Sequence, residues 1–197
     1  MTSNPNDYKD RAGVLPISWE DFHGLCKALV VGVAPFQPEI ILPVGRGGYY
    51  AGTLIAHMLQ VEVYPVRLSR RVRDVVTYES PRWIMEPPEG VRGRRVLIVD
   101  EISSSGETLT IVKQKAIEMG AREARCAVLY AHSWGTAVPD YIGLVSDALI
   151  LNPWDREIWA ECAFQPHPEY VAGLRQQGLD AGRDFFIPAG TPKLAKG

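Results

Sequence analysis

The segment Arg95-Val96-Leu97-Ile98-Val99-Asp100-Glu101-Ile102-Ser103-Ser104-Ser105-Gly106-Glu107-Thr108-Leu109 narrows sharply what this chain can fold into. Residues 96–99 are an unbroken apolar run that ends at two carboxylates. A strand reads this way when helices cover both faces of a parallel sheet. Beyond the acids, Leu109, Val112, Ala116 and Met119 recur at helical spacing. Residues 103–108 are then a tight loop between a strand's C-terminal end and a helix N-terminus, where open α/β sheets bind ligands. Loop amides and hydroxyls point at the ligand there, and the helix dipole favours an anion. The two carboxylates repel a phosphate but suit vicinal hydroxyls. Loop and acids together describe a ribose 5-phosphate, although a plain strand–loop–helix connection capped by Ser and Thr uses the same residue types.

A second loop has the same setting. In Glu39-Ile40-Ile41-Leu42-Pro43-Val44-Gly45-Arg46-Gly47-Gly48-Tyr49-Tyr50, a short apolar strand leads into an arginine flanked by glycines, then a helix over 50–59. Glycines let a ligand approach the main chain, and an arginine among them can fork onto phosphate oxygens. Before it, Trp19, Phe22, Leu25, Cys26, Leu29 and Val30 form an amphipathic stripe, with Ser18 and Asp21 as its N-terminal cap. His23 lies beside that stripe and reads as a solvated or packed helix residue. Residues 1–16 read as a loose lead-in.

Between 67 and 90 the periodicity breaks down. Arg67, Arg70, Arg71, Arg73 and Arg82 face Asp74, Glu79, Glu86 and Glu89, while Pro81, Pro87 and Pro88 argue against regular structure. A loop this long in a compact domain is functional or disordered. Strands follow over 125–131 and 148–151, then a short helix over 167–177 and an apolar Phe185-Phe186-Ile187 segment within 183–188. The alternation of helices and strands implies an α/β fold, a parallel twisted sheet with helices on both faces.

The acid pair with its small-Gly-x-Thr loop resembles the binding motif for 5-phosphoribosyl 1-pyrophosphate (PRPP) in type I phosphoribosyltransferases. The Gly45-Arg46-Gly47-Gly48 segment resembles the pyrophosphate loop of the 6-oxopurine enzymes, in which the peptide before the arginine is often cis. Across about residues 17–155 the chain is most similar to small bacterial and archaeal hypoxanthine/guanine/xanthine phosphoribosyltransferases, sharing their strand–Pro-Asp-Tyr–strand–Pro-Trp-Asp layout at 139–141 and 153–155. The resemblance implies that type I fold with a small hood region, a core over 1–155 with a mobile flap at 67–90, and a C-terminal extension over 156–197. It implies a glycosyltransferase of nucleotide salvage that moves 5-phosphoribosyl from PRPP to a purine-like base and releases pyrophosphate. Mg²⁺ would be the cofactor, held mainly through PRPP oxygens with Glu101 as a weak protein ligand.

Residue by residue, Asp100 and Glu101 are implied to orient the ribose diol. Ser103, Ser104, Ser105, Gly106, Glu107 and Thr108 would bind the 5-phosphate, and Gly45, Arg46, Gly47 and Gly48 the pyrophosphate. The base pocket would comprise His132, Leu149, Ile150 and Trp154, with Trp134 as a further candidate. Three positions depart from the family, all at the base. Ser104 stands where an aspartate handles the base N7 proton, and a serine is a poor general base at neutral pH. His132 stands where a lysine binds the 6-oxo group, and Leu149 where an aromatic stacks on the purine. Phosphate contacts are kept while base contacts are rebuilt, so a different base, or a different proton acceptor, is expected. Ser104 is carried with Asp100 and Glu101 as a catalytic candidate. Loss of the aspartate and lysine favours a non-catalytic PRPP or nucleotide sensor, and the basic patch from Arg67 to Arg73 leaves open an RNA-binding regulator on the same fold.

Composition adds limits. A net charge of −2 gives no global pull toward nucleic acid or acidic membranes, and no apolar run approaches a bilayer's thickness. The polar start lacks a secretory signal, and Cys26, Cys126 and Cys162 are odd in number and far apart. A cytoplasmic homodimer with core or near-core thiols, and PRPP and a nucleobase-like molecule as its partners, is the expectation.

Overall fold

The computed structural model describes residues 11, 13–72, 75–78 and 80–179. Along the chain run β1 (Val14–Pro16), α1 (Trp19–Val33), β2 (Ile40–Pro43), α2 (Gly48–Leu59), β3 (Glu62–Val63), β4 (Arg67–Ser69), β5 (Arg71–Val72), β6 (Val75–Val76) and β7 (Arg82–Met85). There follow β8 (Arg95–Ser103), α3 (Glu107–Glu118), β9 (Glu123–Ala131), β10 (Tyr141–Val145), β11 (Leu149–Leu151), β12 (Glu157–Ala160), β13 (Ala163–Pro166) and α4 (Pro168–Gln176). They group into two units, residues 20–146 and residues 1–19 with 147–197.

In the first unit five parallel strands stand in the order β10-β9-β8-β2-β3. Their apolar residues serve both faces by alternation. Leu42, Val44, Val96, Ile98, Cys126 and Val128 pack with Leu109, Val112 and Ala116 of α3. Their neighbours Ile41, Leu97, Val99, Ala127 and Leu129 are equally buried on the other face. There Gly52 of α2 presses on Pro43, and Leu25 of α1 lies against Gly143 of β10. The unbroken apolar runs of β2 and β8 are thus explained, since a helix covers each side. In α1 Phe22, Cys26 and Leu29 of the expected stripe are buried and Val33 joins them, whereas Leu25 and Val30 are half-buried and Trp19 and His23 are exposed.

The expectation of irregular structure over 67–90 is corrected. Strands β4 and β7 form an antiparallel ladder with Leu68 opposite Trp83 and Ser69 opposite Arg82, and β5 pairs with β6 beyond it. Leu68 is buried and Trp83 packs on the core cluster, which anchors this arm to the sheet. The prolines bound β7 instead of breaking it, with Pro81 just before and Pro87 and Pro88 just after. Arg73, Asp74 and Glu79 lie outside the described residues.

In the second unit the lead-in is also corrected, because β1 pairs in parallel with β11, Val14 opposite Leu149. The β12–β13 hairpin was not foreseen. It turns through Glu161 and Cys162, both at positive φ (51° and 60°), the backbone that a two-residue hairpin demands. Helix α4 matches the expected 167–177 segment and starts behind His167, whose ring nitrogen accepts from the Glu169 N–H. Leu174 of α4 packs with Leu149, Val14, Tyr170 and Val171. Residues 183–188 lie outside the described residues. Cys26 and Cys126 are buried, their thiols pushed up to about 12 by that burial, whereas Cys162 is exposed at the hairpin turn and is not the core residue expected. Among the described residues no helix is long and apolar enough to cross a membrane.

Candidate active site

Adjacent parallel strands deliver their following loops to one edge. Val44 N–H donates to Val99 O at 2.8 Å, so the chain leaving β2 runs beside β8 just before the acids. The peptide Gly45–Arg46 is cis, as the resemblance implies. Gly45 N–H and the Tyr49 hydroxyl both donate to Val66 O, at 2.8 and 3.2 Å. The Tyr49 ring lies so close over Gly45 that a Cβ there would overlap it. A Cβ on Gly48 would stand 2.6 Å from Val99 O and 2.9 Å from Asp100 Cα. A Cβ on Gly47 would meet the Glu101 side chain, 2.6 Å from its Cδ. The glycines therefore let the pyrophosphate-loop candidate close onto the acid pair.

Both acids lie inside β8, which continues to Ser103. Asp100 Oδ1 accepts from Glu101 N–H at 2.7 Å. Burial outweighs that hydrogen bond and pushes the Asp100 carboxyl up to about 7. The pair thus presents one acid poised near neutrality beside a second carboxylate.

The three serines differ in role. Ser103 is buried and its Oγ donates to Gly135 O at 2.7 Å, so this hydroxyl fastens the loop after β9 and does not face outward with Ser104. Gly135 N–H in turn donates to His132 O, and His132 N–H to Ser103 O. A Cβ on Gly135 would lie 2.6 Å from Ser104 O, which explains the glycine. Ser105 Oγ accepts from Glu107 N–H at 3.3 Å. Gly106 has φ +75° and packs on Val138 where no side chain would fit. Helix α3 begins at the next residue, and its first-turn amides have no partner within the helix itself. Such a terminus is an anion cradle.

His132 is 3% exposed, and its Nδ1 lies 2.8 Å from Ser146 O. A carbonyl only accepts, so Nδ1 carries the proton. Trp134 stacks on the imidazole at 4.6 Å and 20° while remaining 56% exposed. The remaining base candidates belong to the other unit. Leu149 is committed to the cluster under α4, Ile150 is buried in β11, and Trp154 lies 6.0 Å from Trp19. Sequence reasoning overlooked Tyr49, Gly135 and a specific arm residue, Arg70, which lies 4.0 Å from Glu107. Tyr49 directly follows the paired glycines, the one signal that could have marked it.

The profile of the phosphoribosyl transferase domain matches residues 23–164. Among solved structures, a purine phosphoribosyltransferase from Pyrococcus horikoshii Ot3 shares 26% identity over 72% of this chain and 93% of its own, with TM-score 0.65. A Neisseria gonorrhoeae protein with bound ppGpp shares 21% over 87% of this chain and 98% of its own, TM-score 0.62. The Helicobacter pylori xanthine-guanine-hypoxanthine phosphoribosyltransferase shares 20% over 72% and 91%, TM-score 0.60. The last two carry the likeness in fold.

Proposed function

The chain belongs to the phosphoribosyl transferase domain family, and on that premise we propose that it transfers 5-phosphoribosyl from PRPP to a nitrogen of a purine-like base, releasing pyrophosphate. It is an enzyme of the glycosyltransferase type, and its donor is PRPP. The observation that carries the assignment of residues is the closure of Gly47 and Gly48 onto Asp100 and Glu101, beside the anion cradle that opens α3. In this reading the acids accept from the two ribose hydroxyls and favour positive charge developing on the sugar. Amides and hydroxyls of Ser104, Ser105, Gly106, Glu107 and Thr108 hold the 5-phosphate, and Arg46 with its flanking peptides holds the pyrophosphate. The bond from C1 to the pyrophosphate oxygen breaks with its electron pair leaving on oxygen, and a base nitrogen forms the new bond to C1. The base proton then leaves. Ser104 is a weak acceptor for it, so the reading assigns proton transfer to solvent or to another group near the base.

Among the described residues no three His, Cys, Asp or Glu gather as a metal cluster, and Asp100 and Glu101 offer carboxylate oxygens beside the Gly47–Gly48 loop. That donor set fits Mg²⁺ carried on PRPP, with Glu101 as a minor protein contact. Mg²⁺ held there would supply charge neutralisation for the pyrophosphate leaving group. The base-side assignment rests on sequence position for Leu149, Ile150 and Trp154, and additionally on the exposed Trp134 stack for His132. A cytoplasmic setting is part of the proposal, supported by reduced, unpaired cysteines. No observation favours a sensor or an RNA-binding regulator. Calorimetric titration with PRPP tests the site. Wild type binds, and Asp100→Ala/Glu101→Ala loses the binding. Equal binding by both overturns the assignment.

A further inference from the structure

Resting on that assignment of the phosphate loop, we infer that Arg70 is a PRPP-binding residue, held by Glu107 in the ligand-free protein and transferred to the 5-phosphate when that group enters the loop. Composition offers five arginines between 67 and 90 and distinguishes none of them; among Arg67, Arg70 and Arg82, whose side chains are described, Arg70 is the one paired with α3. Strands β4 and β7 pair as far as Ser69 opposite Arg82, and Leu68 and Trp83 fix the ladder to the core. One residue further, Arg70 O accepts from both Thr77 N–H and Tyr78 N–H, at 2.8 and 3.0 Å, so its main chain is held twice. Its guanidinium reaches across to α3, with an Nη1 4.0 Å from Glu107 Oε2. By contrast, the Arg82 guanidinium sits 4.1 Å over the Tyr78 ring.

Glu107 is the first residue of α3 and borders the anion cradle. A carboxylate there suits the helix dipole but repels an entering phosphate dianion. Arg70 offsets that repulsion. The ion pair is loose, since the separation is long and both side chains are about 40% exposed, so it adds little stability and exchanges readily. A phosphate offers three oxygens and more charge, and a guanidinium binds it by two parallel hydrogen bonds. Arg70 then changes partner by turning its side chain, with its backbone staying where Thr77 and Tyr78 hold it.

Ribose 5-phosphate, pyrophosphate and PRPP, each titrated calorimetrically into the whole protein, separate the alternatives. For Arg70→Ala, affinity for ribose 5-phosphate and PRPP falls roughly ten- to hundredfold, the weight of a charge-assisted hydrogen-bond pair, while pyrophosphate binds as in wild type. Glu107→Gln, which removes the competing carboxylate, binds ribose 5-phosphate at least as tightly as wild type. Arg70→Ala binding ribose 5-phosphate like wild type overturns the inference. So does a Glu107→Gln variant as weak as Arg70→Ala, because the pair is then only a structural tie. PRPP failing to bind wild type overturns the site assignment itself, an outcome distinct from either.

Discussion

Gly47 and Glu101 share one space: a Cβ added to Gly47 would stand 2.6 Å from Glu101 Cδ and 2.9 Å from Glu101 Cβ. Because the far end of the carboxylate can swing aside but its Cβ cannot, a methyl group here displaces the acid. The backbone itself does not object, since Gly47 has φ −59° and ψ −41°, which alanine adopts freely. Gly47→Ala therefore still folds, with a loss of Tm smaller than that caused by a clash with main-chain atoms. Its kcat/KM for PRPP falls by about ten- to a hundredfold, the scale set by misplacing a reacting group by about 1 Å. Steady-state kinetics beside a thermal melt checks both halves.

Gly48→Ala behaves differently. Its Cβ would meet main-chain atoms, Val99 O and Asp100 Cα, which cannot rotate away. Overpacking of this kind costs about 1–3 kcal/mol, so Tm drops by roughly 2–10 °C. A differential scanning calorimetry trace decides.

Asp100 gives the protein a pH signature. Its carboxyl is pushed up to about 7 in the fold by burial, so the folded state holds this proton more tightly than the unfolded chain does. The contribution to stability is complete below the ordinary carboxylate range and is lost as pH rises through about 7. Asp100→Asn removes that loss. The Tm difference, variant minus wild type, therefore grows from pH 5 to pH 8 in ligand-free protein, even though the variant binds PRPP poorly. A difference that is flat with pH contradicts the burial argument.

The serines separate in the same assay. Ser103→Ala leaves Gly135 O without its buried donor and costs about 1–3 kcal/mol. Ser104→Ala, which breaks no such tie, stays within about 0.5 kcal/mol and shows its effect in kcat/KM. Comparing denaturant midpoints with kcat/KM for PRPP for the pair distinguishes fastening from phosphate binding.

How much of this was legible beforehand follows from the residues. Residues 96–99 had to be a doubly covered strand, and Leu109, Val112 and Ala116 had to face it from a helix, because burial on a regular element leaves a period. The meeting of the acid pair with the Gly45–Arg46 loop at one sheet edge was readable because each follows an apolar strand run. The arm was not, since its strands are two to four residues long and, among the described residues, Leu68 and Trp83 tie it to the core. The hairpin after Glu157 turns through Glu-Cys, which carries none of the Asn-Gly signature that announces such turns. Which of three adjacent serines turns inward is a matter of contact with Gly135, a residue 32 positions away from Ser103. Likewise Arg70 stands out among the described arginine side chains of the arm through its proximity to Glu107, not through its sequence neighbours.

In the proposed function, base preference follows from Ser104 and His132. Restoring the residues that the 6-oxopurine enzymes use, as Ser104→Asp with His132→Lys, raises turnover of hypoxanthine or guanine over wild type. Gains of about a hundredfold or more are the range for supplying a positioned general base. No gain with either base places the determinant elsewhere.

The central claim is tested most directly by base-dependent release of pyrophosphate. Wild-type protein is incubated with PRPP, Mg²⁺ and, one at a time, purine and related nucleobases. The account predicts pyrophosphate release with at least one purine-like base, matched mole for mole by a nucleoside monophosphate, and its loss in Asp100→Ala/Glu101→Ala. PRPP that binds but yields no pyrophosphate with any base would contradict it.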